Sequence, residues 1–146
     1  MPRGDHRRPL SIVVTTVPSD AHTWNLVFLQ LAFEELGHSV HNVGACVPDE
    51  LLIDECLRIR PDLVVVSTVN GHGLHDGARL ITRLRACREL ASTPAVIGGK
   101  LGISGPGGDE GREQLRAAGF DAVFEDGADI DAVRSLVAQF SLSVAR

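Results

Sequence analysis

The stretch that decides the fold is Asp62-Leu-Val-Val-Val-Ser67, which follows Pro61 and is apolar at every position between its two polar ends. A strand of this kind is buried on both faces, as in a parallel sheet that helices cover on either side. Similar short apolar segments occur before and after it along the chain. The pattern predicts four further strands, at Leu10–Val17, Ser39–Val43, Pro94–Ile97 and Asp121–Phe124.

Helix-length segments separate these strands. The first, Thr23–Leu36, is apolar on most of its faces, which predicts a largely buried helix that ends at Gly37. The second opens at Pro48-Asp49-Glu50, where proline and acidic residues suit a first helical turn, and ends at Pro61. The remaining helices are predicted over Leu74–Leu90, Asp109–Ala118 and Ala128–Phe140.

Strict alternation of strands and helices defines the predicted architecture. It is an α/β fold with a flavodoxin-like (Rossmann-like), doubly wound, five-stranded parallel sheet, in the order 2-1-3-4-5, with helices on both faces. We expect one domain over residues 10–141, between a flexible N-terminus (1–9) and a C-terminal tail (142–146).

The composition is that of an acidic globular chain. It has 146 residues, of which 44% are hydrophobic, and a formal net charge of −5. Its basic residues are scattered, which argues against nucleic acid as a partner. The cysteines Cys46, Cys56 and Cys87 are too few for a disulfide framework, and no apolar run approaches the ~20 residues of a membrane span. We therefore expect a cytoplasmic protein with no membrane contact.

Ligands of such a sheet bind outside the carboxyl ends of the first and third strands, where the strand order reverses. The loop after the first strand contains Asp20 and His22. Imidazole is the commonest transition-metal ligand in proteins, and a carboxylate usually holds its second nitrogen. The alternative is that Asp20 caps the following helix and His22 is a solvated loop residue. The spacing alone leaves both interpretations open.

Small residues follow the third and fourth strands at the same edge. Glycine there serves turns, or lets a ligand approach the backbone closely, and Gly71, Gly73, Gly98 and Gly99 favour an extended ligand lying across the sheet. The chain contains no GxxxxGK[ST] motif, and no GxGxxG follows the first strand, so classical dinucleotide binding is not expected.

Two other chemistries would use the same edge of the sheet. His72 and His75 form an H-x-x-H motif that could bind zinc together with Cys46 or His22. The sequence lacks the matched cysteine pair that many zinc sites contain, which argues against this interpretation. Receiver domains share the predicted fold and place an aspartate at the end of strand three, where this chain has Ser67 and Thr68. The sequence therefore argues against a phospho-acceptor domain.

Three short motifs carry a resemblance to a known family. Asp20-Ala-His22-Thr-Trp-Asn25, Ser67-Thr-Val69 and Gly98-Gly99 resemble the D-x-H-x-x-G, S-x-L and G-G signature of cobalamin-binding domains. Asn25 stands where the family has glycine, and Val69 where it has leucine. Over about residues 10 to 140 the chain is most similar to the small subunit of glutamate mutase (methylaspartate mutase). The supporting segments are Gly37–Gly44, Pro48–Leu51, Gly71–Gly73 and Ala118–Phe124.

The resemblance implies adenosylcobalamin as the cofactor, bound base-off with histidine on the cobalt. His22 would be the cobalt ligand, Asp20 would hydrogen-bond to it, and the displaced nucleotide tail would lie between the sheet and the first helix. Ser67 would bond to the benzimidazole, while Gly98 and Gly99 leave it room. The implied cofactor-binding residues are Ser19, Asp20, Ala21, His22, Thr23, Asn25, Ser67, Val69, Gly71, Gly98 and Gly99.

The implied function is that of the cobalamin-binding subunit of a carbon-skeleton mutase that converts glutamate to methylaspartate. A separate large barrel subunit would hold the substrate in a hetero-oligomer, and this chain would not be active alone. One small domain has little room for both a cofactor and a substrate, which agrees with this. The alternative is a corrinoid carrier or sensor that serves a methyltransferase or a regulatory partner. A carrier is expected to have an N-terminal helical bundle, for which a strand beginning near Leu10 leaves no room.

Overall fold

A computed structural model describes residues 9–69, 71–99, 108–124 and 134–139 of the chain. Its elements in chain order are β1 (Ser11–Thr15), α1 (Trp24–Glu35), β2 (Ser39–Asn42), α2 (Asp49–Ile59), β3 (Leu63–Thr68), α3 (Gly73–Arg85), a 3-10 turn (Arg88–Leu90), β4 (Ala95–Gly99), α4 (Gly108–Ala118) and β5 (Ala122–Phe124). Residues 134–139 are also helical. None of the helices in these ranges combines the length and hydrophobicity that a membrane crossing requires.

The sheet confirms the predicted topology. Its five strands are all parallel and lie in the order β2-β1-β3-β4-β5. Several predicted features lie outside the described residues: the flexible N-terminus over 1–8, the glycine-rich loop over 100–107, most of the last helix (128–133 and 140) and the tail after residue 141. Of the last predicted helix, only 134–139 is described.

Alternation along the buried strands divides the core into two layers. On one face, Val64 and Val66 of β3 join the cluster that packs under α2, α3 and α4. On the other face, Leu63 and Val65 join Leu26 and Phe33 of α1. Successive residues of β3 therefore point to different helices. The same alternation continues into the polar end of the strand, where it separates Ser67 from Thr68.

The prediction that the first helix is largely buried is wrong. Only three residues of α1 are buried, namely Leu26, Ala32 and Phe33. Trp24, Phe28 and Leu31 are 84%, 56% and 58% exposed. A helix that covers one side of a sheet buries a single stripe, and α1 has more apolar residues than that stripe can hold.

The third helix is shorter than predicted. It ends at Arg85 rather than Leu90, and Arg88–Leu90 form a separate 3-10 turn. The reason is that the Arg85 guanidinium donates hydrogen bonds to the carbonyl oxygens of Leu90 and Gly119, at 2.9 Å and 3.1 Å. These bonds draw the chain back across the helix end, and Leu90 becomes fully buried.

Strand β4 extends two residues beyond the predicted Ile97, and it ends at a glycine that the fold itself requires. Gly99 pairs with Thr68 and has a φ of +106°, in the left-handed region. A Cβ atom built on Gly99 would overlap the carbonyl oxygen of Thr68. The backbone therefore explains Gly99 without a ligand.

We expect Gly99→Ala to destabilise the fold more than Gly71→Ala. Both positions have positive φ, which costs alanine about 1–2 kcal/mol. At Gly71, however, a Cβ has no described atom within 4 Å, whereas at Gly99 it meets backbone, which adds about 1–3 kcal/mol. Urea unfolding of the two variants measures the difference. Equal losses of unfolding free energy would contradict this explanation of Gly99.

Candidate functional site

The loop after β1 places an aspartate and a histidine against each other. The Asp20 N–H donates to the Val17 carbonyl at 3.1 Å, which turns the chain back towards the sheet. Asp20 Oδ1 then accepts the His22 N–H at 2.9 Å and the His22 ring Nδ1 at 2.7 Å. A side chain that bonds to the backbone two residues ahead forms an Asx turn, and this turn explains the two-residue spacing.

The other carboxylate oxygen of Asp20 is held by the end of β3. Asp20 Oδ2 accepts the Thr68 hydroxyl at 2.6 Å and the Val69 N–H at 2.8 Å. The four donors use the acceptor capacity of a carboxylate, and the side chain is fully buried. Asp20 does not cap α1, which begins after Thr23 without a side-chain cap. The carboxylate instead joins the loop after β1 to the loop after β3.

Sequence reasoning missed Thr68 as part of this site. The available signal was a hydroxyl residue at the end of an apolar strand, at the point where the strand order reverses. Because Ser67 and Thr68 are adjacent in a strand, their side chains leave opposite faces of the sheet. Only one of them could bond to Asp20, and the sequence did not show which.

Asp20 fixes the histidine in one tautomer. Burial raises the pKa of Asp20, but the hydrogen bonds from Thr68, from the N–H groups of His22 and Val69, and from the His22 ring outweigh it and lower the pKa to about 2. Since a carboxylate can only accept, the Nδ1 atom of His22 carries the proton and donates it. The Nε2 atom is then the nitrogen with a free lone pair. With 61% of its side chain exposed, His22 can present that lone pair to a ligand.

Because the pKa of Asp20 is lowered in the folded protein, this carboxylate stabilises the fold above pH ~4 and stops doing so as the pH falls towards 2. The shift corresponds to roughly 2 kcal/mol. We therefore expect the stability difference between wild type and Asp20→Asn to narrow by about that amount between pH 5 and pH 2. Urea unfolding across this range measures it. A difference that does not change with pH would contradict the lowered pKa.

Further contacts hold the loop against α2 and α3. The Ser19 hydroxyl donates to Asp76 Oδ2 at 2.6 Å, and Asp76 Oδ1 accepts from Arg79 at 3.1 Å. Arg79 also donates to the buried Asp49 at 2.9 Å. The Cys46 N–H donates to the Asp20 carbonyl at 2.8 Å. These contacts hold the loop that carries Asp20 and His22 against α2 and α3.

On the opposite face of the sheet, Asn25 bridges α1 and β3. The Nδ2 atom of Asn25 donates to the Ser67 hydroxyl at 2.9 Å and to the Ser67 carbonyl at 3.2 Å. A carbonyl oxygen can only accept, so this contact fixes which end of the amide is the nitrogen. The Oδ1 atom of Asn25 is buried and has no hydrogen-bond partner among the described residues. An unpaired buried acceptor costs free energy, which a ligand with a donor group would recover.

Small residues lie beside Ser67 on this face. Gly98 pairs with Ser67 in the β3–β4 register, and it also pairs with Phe124 of β5. A Cβ on Gly98 would lie 3.1 Å from the Cβ of Phe124, which is tight. The predicted site residues Ala21 and Thr23 are exposed in the loop before α1. Thus the predicted residues lie at one edge of the sheet, but they form two groups, one around His22 and one around Ser67.

The described residues do not form a protein-enclosed metal site. Within them, no three His, Cys, Asp or Glu side chains are placed to hold a metal ion. The H-x-x-H motif of His72 and His75 therefore does not combine with Cys46 or His22 into the zinc site weighed from the sequence. What the site offers is the Nε2 atom of one imidazole, whose Nδ1 atom is held by the Asp20 carboxylate. That donor set suits a metal complex that arrives with its other ligands in place.

The fold and the site thus define a flavodoxin-like domain in which a buried aspartate holds an exposed histidine at the switch point of the sheet. The chain belongs to the B12-binding domain family, whose model matches residues 10–134. The glutamate mutase sigma subunit of Halobacterium salinarum is 32% identical over 123 residues, covering 84% of this chain and 81% of that protein. The sigma subunit of Treponema denticola is 28% identical over 136 residues, covering 91% and 96%.

Solved structures agree with the fold. A cobalamin-binding protein from Desulfitobacterium hafniense superposes with a TM-score of 0.67 at 23% identity, covering 88% of this chain and 58% of that one. The chemotaxis protein CheY4 of Vibrio cholerae superposes with a TM-score of 0.69 at 11% identity, covering 91% and 99%. Identities this low establish only the shared architecture. The end of β3, with Ser67 and Thr68, departs from the aspartate that receiver domains place there.

Proposed function

We propose that this chain is the cobalamin-binding subunit of an adenosylcobalamin-dependent carbon-skeleton mutase that converts glutamate to methylaspartate together with a separate large subunit. The observation that carries the proposal is the Asp20–His22 unit, in which a buried carboxylate fixes one imidazole nitrogen and leaves the other available. The sigma-subunit relatives support the glutamate mutase assignment.

His22 would hold the cofactor through Nε2, as a ligand of its cobalt. A corrin ring brings its own nitrogen ligands, so one protein ligand suffices, and the site offers one. Asp20 would keep the imidazole in its Nδ1–H tautomer and restrict its rotation. Thr68 and Val69 donate hydrogen bonds to Asp20, so His22 is anchored through Asp20 to the end of β3. The cofactor supplies radical chemistry when bound, and the protein supplies binding, orientation and tuning of the metal.

The displaced nucleotide tail would lie on the α1 side of the sheet. Ser67 would supply a hydroxyl to the base, and Gly98 beside it contributes no side chain. The backbone conformation itself requires a glycine at position 99. Gly99 therefore supports a bound ligand less strongly than Gly98 does. The loops after β1 and β3 would line the entrance to this tail site at the same edge of the sheet, with Ser19, Ala21, Thr23 and Gly71.

A partner subunit is supported by the surface beside His22. The apolar residues Trp24, Phe28 and Leu31 of α1 are more than half exposed, and α1 begins two residues after His22. Exposed apolar clusters of this kind mark interaction surfaces. A large subunit that closes over the corrin ring from the His22 side would also cover this part of α1. The substrate and the rearrangement would then lie mainly in that subunit.

The experiment that tests the function combines the purified chain with adenosylcobalamin, glutamate and a large glutamate mutase subunit. We expect methylaspartate only when both subunits and the cofactor are present, and no product from this chain alone. No product with a large subunit that is active with another sigma subunit would contradict the assignment. Corrinoid binding without turnover would favour the carrier or sensor class instead.

A further inference from the structure

The side chain of Asn25 hydrogen-bonds to the Ser67 hydroxyl, which is the group that the proposed tail site offers to the base. Its amide nitrogen already bonds to the Ser67 hydroxyl and carbonyl, at 2.9 Å and 3.2 Å. Its amide oxygen is buried and unpaired among the described residues. The Ser67 hydroxyl accepts the bond from Asn25 and still has its own proton to donate to a base that enters between α1 and β3. Such a base can also take over the Asn25 Nδ2 donor and pair the unpaired oxygen.

A base gains most there if it carries both an acceptor and a donor. The ring nitrogen of a benzimidazole accepts one hydrogen bond but offers no N–H to Asn25 Oδ1. A 6-aminopurine has an N–H donor next to a ring-nitrogen acceptor. That pair matches a carboxamide, and asparagine bonds to adenine in this bidentate way. An aminopurine would pair both the nitrogen and the oxygen of the Asn25 amide, whereas a benzimidazole would leave the buried Asn25 oxygen unpaired.

We propose that Asn25 selects the nucleotide base of the bound corrinoid, favouring an aminopurine base over a benzimidazole. This inference rests on the proposed function, because it assumes that the tail enters beside Ser67. It gives a role to the residue that stands in place of the glycine of the family motif. A glycine would leave the Ser67 hydroxyl free and would have no amide to pair.

The test measures the dissociation constants of two corrinoids that differ only in the lower base, adenine or dimethylbenzimidazole. Trp24 is the only tryptophan in the chain and adjoins Asn25, so quenching of its fluorescence by the bound corrin reports binding. We expect wild type to prefer the adenine corrinoid by about 10- to 100-fold, as one bidentate pair provides.

Two variants separate hydrogen bonding from space. Asn25→Gly removes the amide and opens the position, and Asn25→Leu removes the amide but keeps most of the volume. We expect the preference to disappear in both, with tighter benzimidazole binding in Asn25→Gly. Circular dichroism of both variants checks that they remain folded.

Equal affinity of wild type for the two corrinoids, or a preference that survives in a folded Asn25→Leu, would overturn the inference and leave the proposed function intact. If wild type binds neither corrinoid, with or without the large subunit, the proposed function fails and the inference fails with it. The two failures are therefore distinguishable by the wild-type measurement alone.

Discussion

The Asp20→Ala variant is expected to lose about 3 kcal/mol of unfolding free energy, together with most of its affinity for corrinoids. The substitution removes the carboxylate that accepts the hydrogen bonds of the buried Thr68 hydroxyl and of the Val69 N–H. A hydrogen bond to a charged group contributes about 1.5–3 kcal/mol. The loop after β1 also loses its bond to β3, and the His22 ring loses the partner that orients it. Urea unfolding and a corrinoid titration measure the two effects.

The matched control for this variant is Asp54→Ala. Asp54 is an exposed carboxylate on α2, and its side chain makes no hydrogen bond or ion pair with the described residues. An exposed substitution of this kind changes stability by less than about 0.5 kcal/mol. If Asp20→Ala is as stable as Asp54→Ala, the buried carboxylate does not join the two loops, and our description of the site is wrong.

The His22→Ala variant is expected to separate ligand binding from stability. Its side chain is 61% exposed and hydrogen-bonds only to Asp20 among the described side chains, so we expect a loss of about 1–2 kcal/mol, smaller than that of Asp20→Ala. Corrinoid affinity should fall by about 100-fold or more, because losing only the hydrogen-bond partner behind a metal ligand already costs about 10- to 100-fold.

His75→Ala is the control, since His75 is an exposed histidine on α3 at the same edge of the sheet. It should bind corrinoids as wild type does. An equal loss of affinity in His22→Ala and His75→Ala would indicate a general effect of histidine at this edge. Unchanged affinity in His22→Ala would exclude His22 as the cobalt ligand.

Much of the fold could be predicted because its strongest signals are local. The continuous apolar run before Ser67 indicates a strand buried on both faces, and the alternation with helices then limits the strand order. The switch point follows from the order, and the spacing of Asp20 and His22 makes their pairing one of two interpretations. These steps need no knowledge of contacts between distant residues.

What the sequence did not reveal depends on contacts across the sheet. The bond from Thr68 to Asp20 spans 48 positions, and the bond from Asn25 to Ser67 spans 42. The end of α3 is set by Arg85 reaching Gly119, 34 positions away. The exposure of Phe28 and Leu31 was missed because hydrophobicity shows that a residue can be buried, but not whether the neighbouring layer covers it.

The most direct test of the central claim is the electron paramagnetic resonance spectrum of the cobalt(II) corrinoid bound to protein that contains nitrogen-15-labelled histidine. If His22 is the axial ligand, the nitrogen coupling changes with the histidine label in wild type and is lost in His22→Ala. A coupling that is insensitive to the histidine label, and follows the nucleotide base instead, would contradict the claim that this site holds cobalt through His22.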